Sequence, residues 1–340
     1  HGGRFSGHYF GEEMLVDHVR SYGNMLSVQR QSDYPGMDIL ACWPEGYFPQ
    51  DAKYVQMAAR KCGSNGFMAE VCPFDNPEEF GKAPFDNLLA TMGLNYISGV
   101  RTTQSYAEAD FSAFGDVRFR DFLPRNQDMF GQVRKYFDRA QMRQLNAYVG
   151  RMGLLLDGLQ NQCTTVLYFG IEDVQAKYTP KHDCEVGAQA IGCDLATLRL
   201  LRAMLDEGRA LRQLKKAGVC VLFAEKLPHI DALSGQQLQL AGEFEAVSVQ
   251  EAVQIPDAQE PQFKTLSGPI VRQARYRTRD SKSMFFLLNP GRTESVVRLP
   301  GADARRCTAL DPFTGTITQE RLNRDWTVPA VRGIFIIIEE

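Results

Sequence analysis

Glu70 stands in an otherwise apolar run, Phe67-Met68-Ala69-Glu70-Val71-Cys72. An ionised side chain there is costly to bury without a partner. At the C-terminal end of a strand in a (β/α) barrel such a carboxylate is usually catalytic. The structural alternative is a buried ion pair with Arg101 or Lys61. A second acidic signal is Glu12-Glu13, which follows Ser6-Gly7-His8-Tyr9-Phe10-Gly11 and opens a helical pattern with Met14, Leu15, His18 and Val19 on one face. The helix dipole accounts for one acidic residue in a first turn. Paired with Glu70, however, either glutamate completes the minimum equipment for cleaving a glycosidic bond: one carboxyl as acid, one as base or nucleophile.

Trp43, Tyr47, Phe48 and Tyr106 supply flat apolar faces that suit sugar rings and equally suit rim packing. Other chemistries lack their motifs. No two glycines are separated by a single residue, which excludes the dinucleotide fingerprint and the kinase loop, and Gly81-Lys82 is followed by Ala83, which excludes a Walker A loop. The serine-hydrolase elbow, HExxH and paired Cys/His zinc spacings are missing too. The five histidines are scattered: His8, before a helical start, and His182 and His229, near prolines, read as capping or surface groups rather than metal ligands.

The elements that must position these residues follow from apolar runs. Asp38–Trp43, Gly66–Phe74 and Gly93–Val100 start 28 and 27 residues apart, with helical patterns over 51–62 and 78–92 between them. Strand-helix units of about 30 residues suit a parallel α/β barrel or a doubly wound sheet. The spacing predicts adjacent parallel strands at 38–43, 66–72 and 93–99, with Glu70 near their C-terminal edge. A segment rich in aromatics and arginines, 110–126, breaks the period and suits an inserted loop; a helical stretch over 128–159 follows. From Thr164 the pattern is strand, helix (194–216), strand (218–224), a small α/β unit, and 233–265 reads as a linker. The tail reads as a small all-β module with strands at 283–289, 294–299, 305–310 and 333–339, separated by turn signals such as Asn289-Pro290-Gly291 and Asp311-Pro312-Phe313-Thr314-Gly315.

A length of 340 residues allows two domains or one large one. A net charge of −3 without long runs of like charge gives no footprint for nucleic acid or an anionic membrane. The longest apolar stretches, such as Gly333–Ile338, are far short of the ~20 residues of a membrane span. Eight cysteines without a CxxC, set mostly in apolar runs, suit buried thiols in a reducing, cytoplasmic setting. The first residue is His1, so a processed chain or a piece of a longer one is expected.

SGHYFGEEMLVDHVRSYGNML (6–26), YPGMDIL (34–40), MAARKCGSNGFMAE (57–70), GLNYISGVRTTQSY (93–106), VRFRDFLPRNQDMFG (117–131) and VLYFGIEDVQAKYTP (166–180) together resemble the second half of the catalytic barrel in the large bacterial α-L-rhamnosidase-like glycoside hydrolases. The resemblance covers about half of the chain. It implies an α/β chain with the C-terminal half of a (β/α)8, TIM-type barrel (1–162), a reduced α/β domain resembling a glutamine amidotransferase (163–250) and a β-sandwich-like module (266–340), the earlier barrel strands lying before His1. It implies a glycosidase with Glu12 as proton donor, Glu70 as base or nucleophile and Glu13 as reserve for either role. His8, Trp43, Arg101 and Tyr106 are the candidate substrate contacts. Val100 stands where a histidine is expected after the strand at Gly93. The expected partner is a carbohydrate, an oligosaccharide or plant glycoside, and self-association through an open sheet edge is a further expectation. No cofactor is required by the pattern, and calcium is allowed by the resemblance alone. The alternative is a catalytically inactive carbohydrate-binding or assembly subunit that keeps the fold.

Overall fold

The structure, a computed structural model, describes residues 5–8, 22–39, 42–47, 49–64, 66–71, 77–105, 138–159, 162, 212, 215–216, 222–224, 241–247 and 262–339. The chain divides into two compact units, one formed by His1–Tyr9, Gln29–Gln162 and Pro261–Glu340, the other by Phe10–Val28 and Cys163–Glu260.

The first unit holds a four-stranded sheet of β1 (Ser6–Gly7), β2 (Tyr34–Ile39), β3 (Phe67–Val71) and β4 (Val100–Ser105), in that order. Every pairing is parallel. Strands that follow one another in sequence and in space need a crossover each. Between β2 and β3 it is α2 (Pro49–Lys61); α1 (Met25–Gln29) lies ahead of β2. Ala52, Val55, Ala58 and Ala59 of α2 are buried, a stripe at helical spacing made of small residues that lets the helix lie close to its neighbours. Between β3 and β4 come α3 (Pro77–Lys82) and α4 (Pro84–Ser98).

The strand expected at 93–99 is a correction. Residues 84–98 are one helix, and β4 begins only at Val100. Every residue from Asn87 to Ser98 is buried, the polar stripe of Asn87, Thr91, Asn95 and Ser98 included, so α4 shows no solvent-facing side over that stretch. An apolar run without alternation reads equally as a buried strand or a buried helix. The stop signal is Gly99, whose φ of 115° is open to glycine and whose N–H caps the carbonyls of Asn95 and Tyr96. β2 also lies about four residues earlier than the apolar run suggested, because it takes in Pro35 and Gly36. The helix expected over 128–159 is described as α5 (Arg139–Leu156), opened by an Asp138/Gln141 capping box and burying Leu145, Tyr148, Met152 and Leu156 on one stripe.

The tail is a two-layer β-sandwich with twice the expected strands: β7 (Lys264–Ser267), β8 (Arg272–Arg277), β9 (Ser283–Leu288), β10 (Ser295–Arg298), β11 (Arg306–Leu310), β12 (Ile317–Arg321), β13 (Trp326–Val328) and β14 (Gly333–Ile338). They form sheets β13-β10-β7 and β12-β11-β14-β9-β8, with Phe285, Leu287, Val297, Trp326, Val328 and Ile336 in the core between them. The same unit joins sandwich and helices. Arg151 of α5 donates to the carbonyls of Pro312 and Phe313, Arg292 donates to Asn87 of α4 at 2.8 Å, and the Phe313 ring lies 6.2 Å from that of Tyr148. In the second unit β5 (Leu222–Ala224) and β6 (Glu245–Val247) pair in parallel. Thus β6 and the start of β7 fall in the stretch read as a linker; the strand expected from Thr164, the helix 194–216 for the most part and the loop 110–126 lie outside the described residues.

Candidate active site

Register decides which side chains share a face. Asp38 of β2 pairs with Glu70 of β3, and Glu70 with Gln104 of β4. In-register neighbours in a parallel sheet point to the same side, about 4.8 Å apart. Ser6 pairs with Tyr34, so His8, two residues on, lies in line with Gly36 and on the same face as Asp38 and Glu70. All three polar residues sit at the C-terminal ends of their strands.

The His8 imidazole spans β2 to reach Glu70, with Nε2 2.7 Å from Oε2. Gly36 makes that reach feasible. A Cβ there would lie 2.7 Å from the Gly7 carbonyl oxygen and 2.9 Å from the Met68 methyl, so glycine alone lets β1 and β2 approach this closely. The Gly36 carbonyl in turn accepts from the Gln29 side chain at 2.9 Å.

Glu70 is 8% exposed. Its pKa is raised above the ordinary carboxylate value, first by burial, with the Asp38 charge adding to the rise and the charge and hydrogen bond of His8 opposing it. The partner of the buried carboxylate is therefore His8, and neither Arg101 nor Lys61, which corrects the alternative expected from the sequence. Oε1 has no protein partner among the described residues. A buried carboxyl held at one oxygen, with its affinity for a proton increased, can take a proton from water or attack an electrophilic carbon.

Arg101 does not join this group. Since β4 starts at Val100, Arg101 sits at the N-terminal end of the sheet, where its guanidinium donates to the carbonyls of Tyr96, Val100 and Leu159 and lies 5.9 Å over the Tyr276 ring. Val100 likewise occupies the end of the strand remote from Glu70, so it is not the position at which a histidine contact is expected. Trp43 stands in the turn beyond β2, at the C-terminal end of the sheet, with its indole packed over Gly46. Glu12, Glu13, Phe48 and Tyr106 lie outside the described residues. Asp38 is the residue that sequence reasoning missed. It carries the same signal as Glu70, a carboxylate between Met37 and Ile39, but stood at the edge of the expected strand instead of inside it.

Among the described residues no three His, Cys, Asp or Glu side chains come together to hold a metal ion, so the calcium expectation finds no ligand set there. No described helix is long and apolar enough to cross a membrane. Among the described residues Cys42, Cys62 and Cys307 form no disulfide.

No protein-family model matches this sequence, and no curated protein matches it. Among solved structures the chain is similar to a rhamnosidase from Novosphingobium sp. PP1Y, at 12% identity and a TM-score of 0.47 over 93% of this chain and 35% of that one. It is also similar to an exo-carrageenase from Bacteroides ovatus, at 13% identity and a TM-score of 0.49 over 96% of this chain and 51% of that one. The chain thus spans about a third and about half the length of these two structures.

Proposed function

We propose that this chain carries part of the catalytic site of a glycoside hydrolase, with the parallel sheet as one arc of a (β/α) barrel and α-L-rhamnosides as the substrates to try first. The observation that carries the reading is Glu70 itself: a buried carboxyl at the C-terminal end of a parallel strand, with a raised pKa and a histidine bridging to it from two strands away. The sequence resemblance to α-L-rhamnosidase-like enzymes supports the choice of substrate.

In this reading a proton donor, Glu12 with Glu13 in reserve, protonates the glycosidic oxygen as the bond to the anomeric carbon breaks. Glu70 either takes a proton from the water that attacks that carbon, or bonds to the carbon itself before water releases the sugar. His8 keeps one Glu70 oxygen fixed so that the other faces the substrate. Asp38, beside Glu70, favours the protonated carboxyl and so strengthens Glu70 as a base. Trp43 and Tyr106 are the aromatic residues proposed to contact the sugar.

The test is Glu70→Gln in the full chain, assayed against a panel of aryl glycosides that begins with the α-L-rhamnoside. Turnover falling by orders of magnitude in a folded variant supports the reading. Unchanged specific activity of the folded fraction makes Glu70 a structural partner of His8 and removes it from the reaction. Sugar binding without turnover in the unsubstituted protein favours the inactive carbohydrate-binding subunit.

A further inference from the structure

Four of the sandwich's eleven arginines pair with a carboxylate. Arg298 pairs with Asp325, Arg305 with Asp303, Arg324 with Glu320 and Arg279 with Asp157. Arg306 of β11 and Arg321 of β12 face each other directly across an antiparallel pair, both exposed, and neither has a carboxylate partner among the described residues. Arg321 donates to the Ala304 carbonyl at 2.7 Å. Like charges directly opposite one another in a sheet are unfavourable. Glu339, whose N–H donates to the Arg306 carbonyl, is engaged by Thr308: its Oε1 accepts from the Thr308 hydroxyl at 3.1 Å, and Thr308 in turn accepts from the Gln319 amide at 2.9 Å. Arg306, Arg321, Gln319, Glu320 and Glu339 line an open groove of about 510 Å³.

From this we infer that the groove on the β11–β12 face binds an acidic saccharide, with the paired guanidinium groups of Arg306 and Arg321 on the carboxylate of a uronate ring. Guanidinium forks match carboxylates geometrically, and two of them relieve their mutual repulsion by sharing one anion. The rest of the lining separates a sugar acid from a bare anion. A small anion needs donors only, whereas Gln319, Glu320 and Glu339 add acceptors to the donors of the groove, the mixture that ring hydroxyls require. The volume fits a ring or two and far exceeds an inorganic ion. Ile317, 62% exposed, lies farther along β12 on the same face as Gln319 and Arg321.

The site is independent of Glu70, and its test is chosen to remain so. Binding of trigalacturonate to the full chain is measured by calorimetry, beside its neutral methyl ester and inorganic sulfate, for the parent protein, Glu70→Gln, and an Arg306→Gln, Arg321→Gln double variant. Expected are binding of the acid by parent and Glu70→Gln alike, at least tenfold weaker binding by the double variant, and weaker binding as salt rises. Equal binding of the methyl ester removes the carboxylate from recognition and overturns the inference. So does sulfate binding as tightly as the trimer, which reduces the site to an anion patch, or a double variant that binds as the parent does. If the double variant is unfolded by circular dichroism, Arg306→Lys with Arg321→Lys replaces it, and an affinity equal to the parent's overturns the role of the guanidinium pair.

Discussion

A buried glutamate beside an aspartate is an unfavourable place for charge, and at the scale of the residue this sets opposite signs for stability and activity. Burial raises the Glu70 pKa in the folded state, so the stabilising proton is present at low pH and is lost as pH rises through the folded value. The parent protein should therefore lose stability relative to Glu70→Gln as pH climbs above the ordinary carboxylate range, and chemical denaturation between pH 4 and pH 8 should show the variant equal at the acid end and more stable at the neutral end. A variant that is less stable throughout would mean that the His8 contact outweighs the desolvation. The neighbours move the same titration in opposite directions. Asp38→Asn removes a charge that raises the Glu70 pKa, and His8→Gln removes one that lowers it. If Glu70 acts ionised, the acid limb of kcat/KM shifts to lower pH in the first and to higher pH in the second; limbs that stay in place would take Glu70 out of the pH profile. Glu12→Gln should harm substrates with poor leaving groups more than activated aryl glycosides, because a leaving group that needs no proton makes little use of a donor.

The element that brings these side chains together is a strand pair closed over a glycine. Gly36→Ala places a methyl group within 3 Å of backbone atoms of Gly7, which cannot swing aside as a side-chain tip can. The expected cost is about 1–3 kcal/mol, as for overpacking generally, with a fall in kcat/KM because β1 and His8 are pushed off β2. Gly150→Ala is the control: it lies in α5 with open space around it, and should stabilise by about 1 kcal/mol through helix propensity while leaving activity alone. Thermal melts and steady-state assays of the pair separate a local clash from a general effect of losing a glycine. The same glycine shows what the sequence conceals. Strand-helix alternation and the place of Glu70 are legible because parallel strands covered on both faces leave apolar runs. The boundary between α4 and β4 is not, since the helical period survives there only as a buried stripe of Asn87, Thr91, Asn95 and Ser98 among apolar residues, and that single shift of register carried Arg101 and Val100 to the wrong end of the sheet. The His8 contact is also hidden: it joins residues 62 apart in sequence through the register of β1 on β2. Edge strands such as β7 and β12 go unread because their exposed polar residues carry no alternation.

For the molecule as a whole, the question is whether the sandwich folds as a separate module or as part of the unit that carries Glu70. The clasp between them is specific: Phe313 sits against Phe85, Tyr148 and the Arg332 guanidinium, Arg151 holds the two carbonyls of the turn that presents it, and Leu288 packs where a side chain on Gly93 would be. The Tyr148 ring is fully buried, which pushes its hydroxyl pKa up, so this contact is part of the interior. The chain has two tryptophans, and they are conveniently divided: Trp43 follows β2 near the site, and Trp326 lies in the sandwich core, 4% exposed. Single-tryptophan variants, Trp326→Phe and Trp43→Phe, therefore report the two parts separately, the more informative probe being the one left in place. Cooperative unfolding predicts coincident denaturant transitions from both, each matching circular dichroism once the stability of the variant itself is allowed for. Phe313→Ala removes the ring at the centre of the clasp at a cost of about 2–4 kcal/mol, and should pull the transitions apart, with Trp43 moving to lower denaturant while Trp326 stays in place. Separate transitions in the Phe313-containing proteins would make residues 266–340 an autonomous domain, and the contacts to α4 and α5 would then be docking between domains instead of a shared core.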